Sequence, residues 1–98
     1  MANYMVLGKF TNQGIRNVKD TVKRAAAIKE LAASLGIAVK ENYWFLGEFD
    51  VGFIADAPDE ASITALGLSV GALGNVTTQT LRAFSSEEIS RILGQVAV

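Results

Sequence analysis

Apolar positions along this chain switch between a period near two and a period near three and a half, and each switch marks an element. Asn3 to Phe10 is rich in β-favouring residues with few breakers and predicts a strand. "TNQG", residues 11–14, predicts a polar loop. A helix is then expected with Asn17 as its N-cap and Asp20 near its positive end. Its buried stripe is Val18, Val22, Ala25, Ile28, Ala32 and Leu35, spaced by threes and fours. Lys19, Lys23, Arg24, Lys29 and Glu30 lie mostly off that stripe and read as its solvated side, and Gly36 reads as the residue just past its end.

Strands are predicted over Ile37–Leu46 and Phe49–Ala55. Pro58 is expected to open a second helix at its first turn, followed by Asp59 and Glu60. Ile63, Leu66, Val70 and Leu73 form its stripe. Gly67 and Gly71 inside it predict close packing on a sheet, because each costs about 1 kcal/mol against alanine. Gly74 ends this helix, Asn75–Phe84 is a fourth strand, and Ser85 with Glu88 forms a capping box. That box starts a short helix through Ile89, Ile92 and Leu93, which runs out near Gly94.

The order β-α-β-β-α-β, then α, is the α+β ferredoxin-like pattern, expected as one domain over 1–98. Right-handed crossovers give a four-stranded antiparallel sheet in the order 4-1-3-2 with both long helices on one face. The other face is bare and needs a cover, which a second copy would supply by homodimerisation.

"YWFLGEFDV", Tyr43–Val51, predicts a hairpin with Gly47-Glu48 as a two-residue turn. That register puts Trp44, Leu46, Phe49, Val51, Phe53 and Ala55 on one face, assigned to the core. Val39, Glu41, Tyr43, Phe45, Asp50, Gly52 and Ile54 then line the bare face. Leu81 and Ala83 suit the core, which sends Thr78, Thr80 and Arg82 outward. Lys9 joins them, because burying its ammonium unpaired is costly. The candidate pocket is therefore Lys9, Glu41, Tyr43, Asp50 and Arg82.

Two readings of that group stand side by side. In one, the charges pair across a homodimer interface and fix its register. In the other, they orient a ligand in a cavity between sheets. There Asp50 or Glu41, desolvated, would act as a base, and Tyr43 or Arg82 would stabilise a developing enolate oxygen. A weaker anion-binding candidate is the "TNQGIRN" loop, with Gln13, Gly14 and Arg16, although it lacks the repeated glycines of a phosphate loop.

Composition narrows the chemistry. Half of the 98 residues are hydrophobic and 19% are charged, enough to build a core and to leave apolar surface for a partner. The formal net charge is −1, with no basic block, so neither nucleic acid nor an anionic membrane is expected as a partner. Cysteine and histidine are both absent. Thiol nucleophiles, Cys- or His-ligated metals and haem, and a Ser–His triad are excluded, and no cofactor is expected. "MANYMVLGKF" is weakly basic and runs straight into strand pattern, unlike a secretory leader. No apolar run approaches the roughly 18–20 residues of a membrane span, and a cytoplasmic location is expected.

The chain resembles the GYD-domain family. The resemblance rests on "VLGKFT" (Val6–Thr11), "QGIRNVKDT" (Gln13–Thr21), "LGEFD" (Leu46–Asp50) and "GNVTTQTLRAF" (Gly74–Phe84). Phe49 stands where the family's naming tyrosine does, and Thr77 where a basic residue is common. The resemblance implies a subunit of the dimeric α/β-barrel kind, with two sheets packed face to face. The expected function is a homo-oligomeric (dimer or higher) small-molecule-binding protein with its pocket under the bare face. In its catalytic form this would be a cofactor-independent enzyme on an enolisable or phenolic substrate. The alternative is a non-catalytic ligand-sensing or assembly module.

Overall fold

The computed structural model describes all 98 residues, Met1–Val98. Its strands are β1 (Ala2–Phe10), β2 (Ala38–Trp44), β3 (Val51–Ala57) and β4 (Val76–Ala83). Its helices are α1 (Asn12–Arg16), α2 (Thr21–Ser34), α3 (Glu60–Ala72) and α4 (Ser86–Leu93), with a 3-10 turn at Val18–Asp20. The sheet order is β2-β3-β1-β4, which is the expected 4-1-3-2 read from the other edge, and every pairing is antiparallel.

α2 and α3 cover one face of this sheet. The core beneath them includes Tyr4, Val6, Phe53 and Ala55 from the strands and Ala32, Ile63, Leu66 and Val70 from the helices. Leu66 is 1% exposed, the largest side chain so fully enclosed. Alternation along β1 then sends Met5, Leu7 and Lys9 to the other face, over which no helix lies.

Several local expectations give way to better hydrogen bonding. "TNQG" is not a loop: Thr11 caps α1, its Oγ1 accepting from the Gly14 N–H at 3.1 Å. The chain therefore turns twice before α2, and Asn17 makes no side-chain cap. This displaces the start of the α2 stripe, so Val22 is exposed while Ala32 is enclosed, with Ile28, Leu31 and Leu35 packed against the core. In α3 the N-cap is Asp59, whose carboxylate accepts from the Ser62 N–H at 2.7 Å; Pro58 sits just outside the helix. Ser62, through its side chain first and this N–H second, holds the Asp59 carboxyl below its usual range. Leu73 lies past the last turn and is exposed.

Gly71 has open space where a Cβ would be, and a Cβ on Gly67 would meet only the Thr78 and Thr80 hydroxyls at 3.9 Å. Close backbone approach therefore does not explain either glycine. Gly36 and Gly74 end α2 and α3 at φ +76° and +83°, where other residues are strained.

The Ser85–Glu88 capping box forms with both reciprocal bonds in place. It starts α4, whose apolar residues Ile89, Ile92 and Leu93 are all exposed, and no α4 residue is buried. The radius of gyration is 14.8 Å. A compact chain of this length would have about 13 Å.

Candidate functional site

Strand pairing decides what the uncovered face carries. Glu41, Ile54, Met5 and Leu81 form one row across all four strands, and Tyr43, Gly52, Leu7 and Gln79 form the next. The Tyr43 ring stacks on Phe45 at 6.4 Å between centroids. The Phe45 ring lies over Gly52, where an added Cβ would come 2.8 Å from its Cε2 and 3.1 Å from Leu7 Cδ2. Gly52 thus makes the floor of a shallow apolar groove of about 310 Å³ between Met5, Leu7, Tyr43, Phe45 and Ile54.

Ion pairs bound this apolar strip at both ends. Lys9 Nζ lies 3.6 Å from Glu48 and sits over the Phe49 ring at 5.3 Å. At the other end Lys40 Nζ lies 2.8 Å from Asp56, whose hydrogen bond and charge raise the lysine above its ordinary pKa.

Lys40 reaches this face through a bulge. The register runs Val39 opposite Ala55, then Glu41 opposite Ile54, so Lys40 is the extra residue. The bulge corrects the expected position of Val39, which lies in the core. Beyond it the register is as the hairpin predicted, with Tyr43 opposite Gly52 and Trp44 opposite Val51. The tight Gly47-Glu48 turn is not made. The strands stop at Trp44 and Val51, one further backbone bond joins Phe45 N to Asp50 O at 2.8 Å, and Leu46 is fully exposed. Gly47, at φ +148°, lies at the tip of the loop.

Of the expected pocket group, the fold brings Lys9, Glu41 and Tyr43 to the uncovered face. Glu41 makes no ion pair within the chain. Asp50 is spent on backbone. Its carboxylate accepts from the Phe10 N–H at 2.8 Å, and its own N–H donates to Gly8 O at 2.9 Å, which locks the loop to the end of β1.

Arg82 lies on the opposite face. It pairs with Tyr4, and Thr80 with Val6, so Thr78, Thr80 and Arg82 face the helices while Leu81 and Ala83 face outward, the reverse of expectation. The guanidinium lies over the Tyr4 and Phe84 rings at 5.7 and 4.5 Å and bonds Glu88 at 2.8 Å. Arg82 therefore anchors α4, and with the Ser85 N–H it holds the Glu88 carboxyl below its usual range.

The anion-loop residues are likewise engaged. Gln13 Nε2 donates to Leu73 O at 3.1 Å and to Asn75 Oδ1 at 3.0 Å. An added Cβ on Gly14 would come 1.9 Å from Asn75 O, so α1 lies tight on the turn between α3 and β4. Arg16 is exposed and makes no ion pair. No group of three or more Asp and Glu side chains is placed to hold a metal ion, and no helix is long and apolar enough to cross a membrane.

A second pocket, of about 70 Å³, lies on the other side of the sheet, between it and the two long helices. Phe10, Ile28, Trp44, Val51, Phe53 and Val70 are among its walls, with Arg24 and Thr21 at the start of α2. Trp44 is on the helix side as expected, yet it is 44% exposed and bridges to α2, its Nε1 donating to Thr21 Oγ1 at 3.0 Å. By sequence Arg24 reads as part of a solvated helix side. The one signal of its place here is its position on a helix turn next to the apolar Ala25 and Ile28.

The family model for the GYD domain matches residues 4–93. Among curated proteins, the chain is 29% identical over 84 residues to the glutamine synthetase and cystathionine beta-lyase binding protein of Thermus thermophilus. That match covers 85% of this chain and 88% of the relative. A crystal structure of a Thermus thermophilus protein superposes with a TM-score of 0.58 at 24% identity, covering 88% of this chain and 96% of that one, which shows a shared fold.

Proposed function

The chain belongs to the GYD-domain family, and from that premise we propose that it is a non-catalytic binding module working through its uncovered sheet face, which a second copy of the chain closes. The observation that carries this is the gathering of Met5, Leu7, Tyr43, Phe45, Ile54 and Leu81 on one side of a sheet that no helix covers. An apolar centre bounded by Lys9–Glu48 and Lys40–Asp56 has the anatomy of an interface, with a dry middle and a charged rim.

Size supports the same reading. Four strands about 4.8 Å apart and about eight residues long give a flat footprint of about 500 Å². Side-chain relief enlarges its accessible area toward the about 800 Å² per partner of a standard interface. Two copies meeting here would enclose the groove over Gly52, leaving room for a small apolar molecule between them. Binding is favoured over catalysis because two of the five residues expected in an enolising site are engaged elsewhere, which leaves Lys9, Glu41 and Tyr43 on this face. Asp50 is tied to backbone and Arg82 lies across the sheet. The Thermus relative is itself described as a protein that binds two enzymes.

The test is light scattering on the full chain and on Ile54→Lys. The expected result is a dimer at micromolar concentration that the lysine converts to a folded monomer, because an ammonium is costly to desolvate in a dry interface even with Glu41 opposite it. A wild-type monomer with a solvated face overturns the dimer. If that monomer still bound a glutamine synthetase through the same face, the module would dock a different protein.

A further inference from the structure

The pocket on the helix side of the sheet combines two features that belong together chemically. Its walls are apolar, and at its edge stands a cation without an anion. Arg24 makes none of the chain's ion pairs. Its guanidinium is instead held by backbone, with Nη1 donating to Asn17 O at 2.7 Å and Nη2 to Gly14 O at 3.2 Å. Its face lies over the Phe10 ring at 5.9 Å. An arginine has five N–H donors, so donors remain after these two bonds. Fixed in position beforehand, they lose little freedom on meeting a carboxylate, whose two oxygens match the guanidinium fork and whose size suits so small a pocket. Asp50, which reaches the same Phe10, spends its carboxylate on the Phe10 N–H.

We propose that this pocket is a binding site for a small organic acid, with its hydrocarbon tail among Ile28, Val51 and Phe53 and its carboxylate on Arg24. The volume of about 70 Å³ sets the tail length. A cavity of about 150 Å³ holds benzene, so this one takes only a few carbons, as in a short branched chain. Trp44 closes one side through its bond to Thr21, and its indole is therefore the reporter. The site is independent of the uncovered face, from which the sheet separates it.

The experiment titrates 3-methylbutanoate, and separately its neutral isostere 3-methylbutanamide, into the full chain while following Trp44 fluorescence. Saturable binding of the acid with a dissociation constant of about a millimolar is expected, with the amide at least about tenfold weaker. Arg24→Met should remove that preference, and Ala25→Leu, which fills the pocket, should remove binding of both. If Arg24→Met does not fold, the acid–amide ratio on wild type and the Ala25→Leu variant decide alone. No saturable change with the acid up to tens of millimolar, equal binding of acid and amide, or an unaltered titration in Ala25→Leu each overturn the proposal. Because the site lies across the sheet, Ile54→Lys should bind the acid as wild type does, so failure of one proposal leaves the other standing.

Discussion

The two faces of the sheet are both apolar, yet they do different work. Under α2 and α3 the strand side chains meet helix side chains on the same chain, and Leu66 there is 1% exposed. On the other side Leu81 is a leucine of the same size on the same sheet, and it is 40% exposed. The first is part of what makes the chain fold. The second adds little to folding and is available to a partner. Hydrophobicity alone does not tell these roles apart; what separates them is whether the chain itself has an element left to place on top.

That contrast can be broken by one chemical change made twice. Leu66→Ala should cost about 2–5 kcal/mol by urea denaturation, since it leaves a cavity in a closed site. Leu81→Ala should cost under about 1 kcal/mol in dilute solution, where its face is wet. At higher concentration it should instead weaken association, read as a shift in the light-scattering midpoint. Equal costs for the two leucines at all concentrations would mean that the uncovered face is already satisfied within the single chain.

A smaller effect comes from acid. The Glu88 carboxyl is held below its ordinary value of 4.5, first by the Arg82 hydrogen bond and then by the Ser85 N–H. A carboxyl that is more acidic folded than unfolded adds stability above the unfolded value and loses it as pH falls through the folded one. α4 should therefore fray below about pH 4.5, seen in the amide resonances of 86–93, while the β1–β3 amides stay protected. Glu88→Gln should flatten that response. Loss of both sets together would place α4 within the cooperative core.

Much of the fold was legible because strong local signals agreed. The capping box at Ser85, the end glycines Gly36 and Gly74, and the alternation in β1 all describe short-range physics that the chain obeys. The candidate site was less legible, and the reason lies in β4. Thr78, Thr80 and Arg82 read as the wet side, but the threonines sit beneath Gly67 and Arg82 finds the Tyr4 and Phe84 rings and Glu88. Polar side chains with local partners can face helices, and apolar ones can face out when a partner covers them. Asp50 shows the same limit from the other direction. Nothing nearby in sequence signals that its carboxylate takes the N–H of Phe10, 40 positions away.

The irregularity at Lys40 has a consequence for how this strand tolerates change. Val39 belongs inside and Tyr43 outside only because one residue between them goes uncounted in the ladder. Substitution at Lys40 leaves that parity in place, and removing the residue would seat Glu41 directly after Val39 in a regular ladder, with both halves on their present faces and only the Lys40–Asp56 pair lost. A shortening of β2 is therefore better tolerated at Lys40 than at any paired residue of the strand, where the faces would have to be reset.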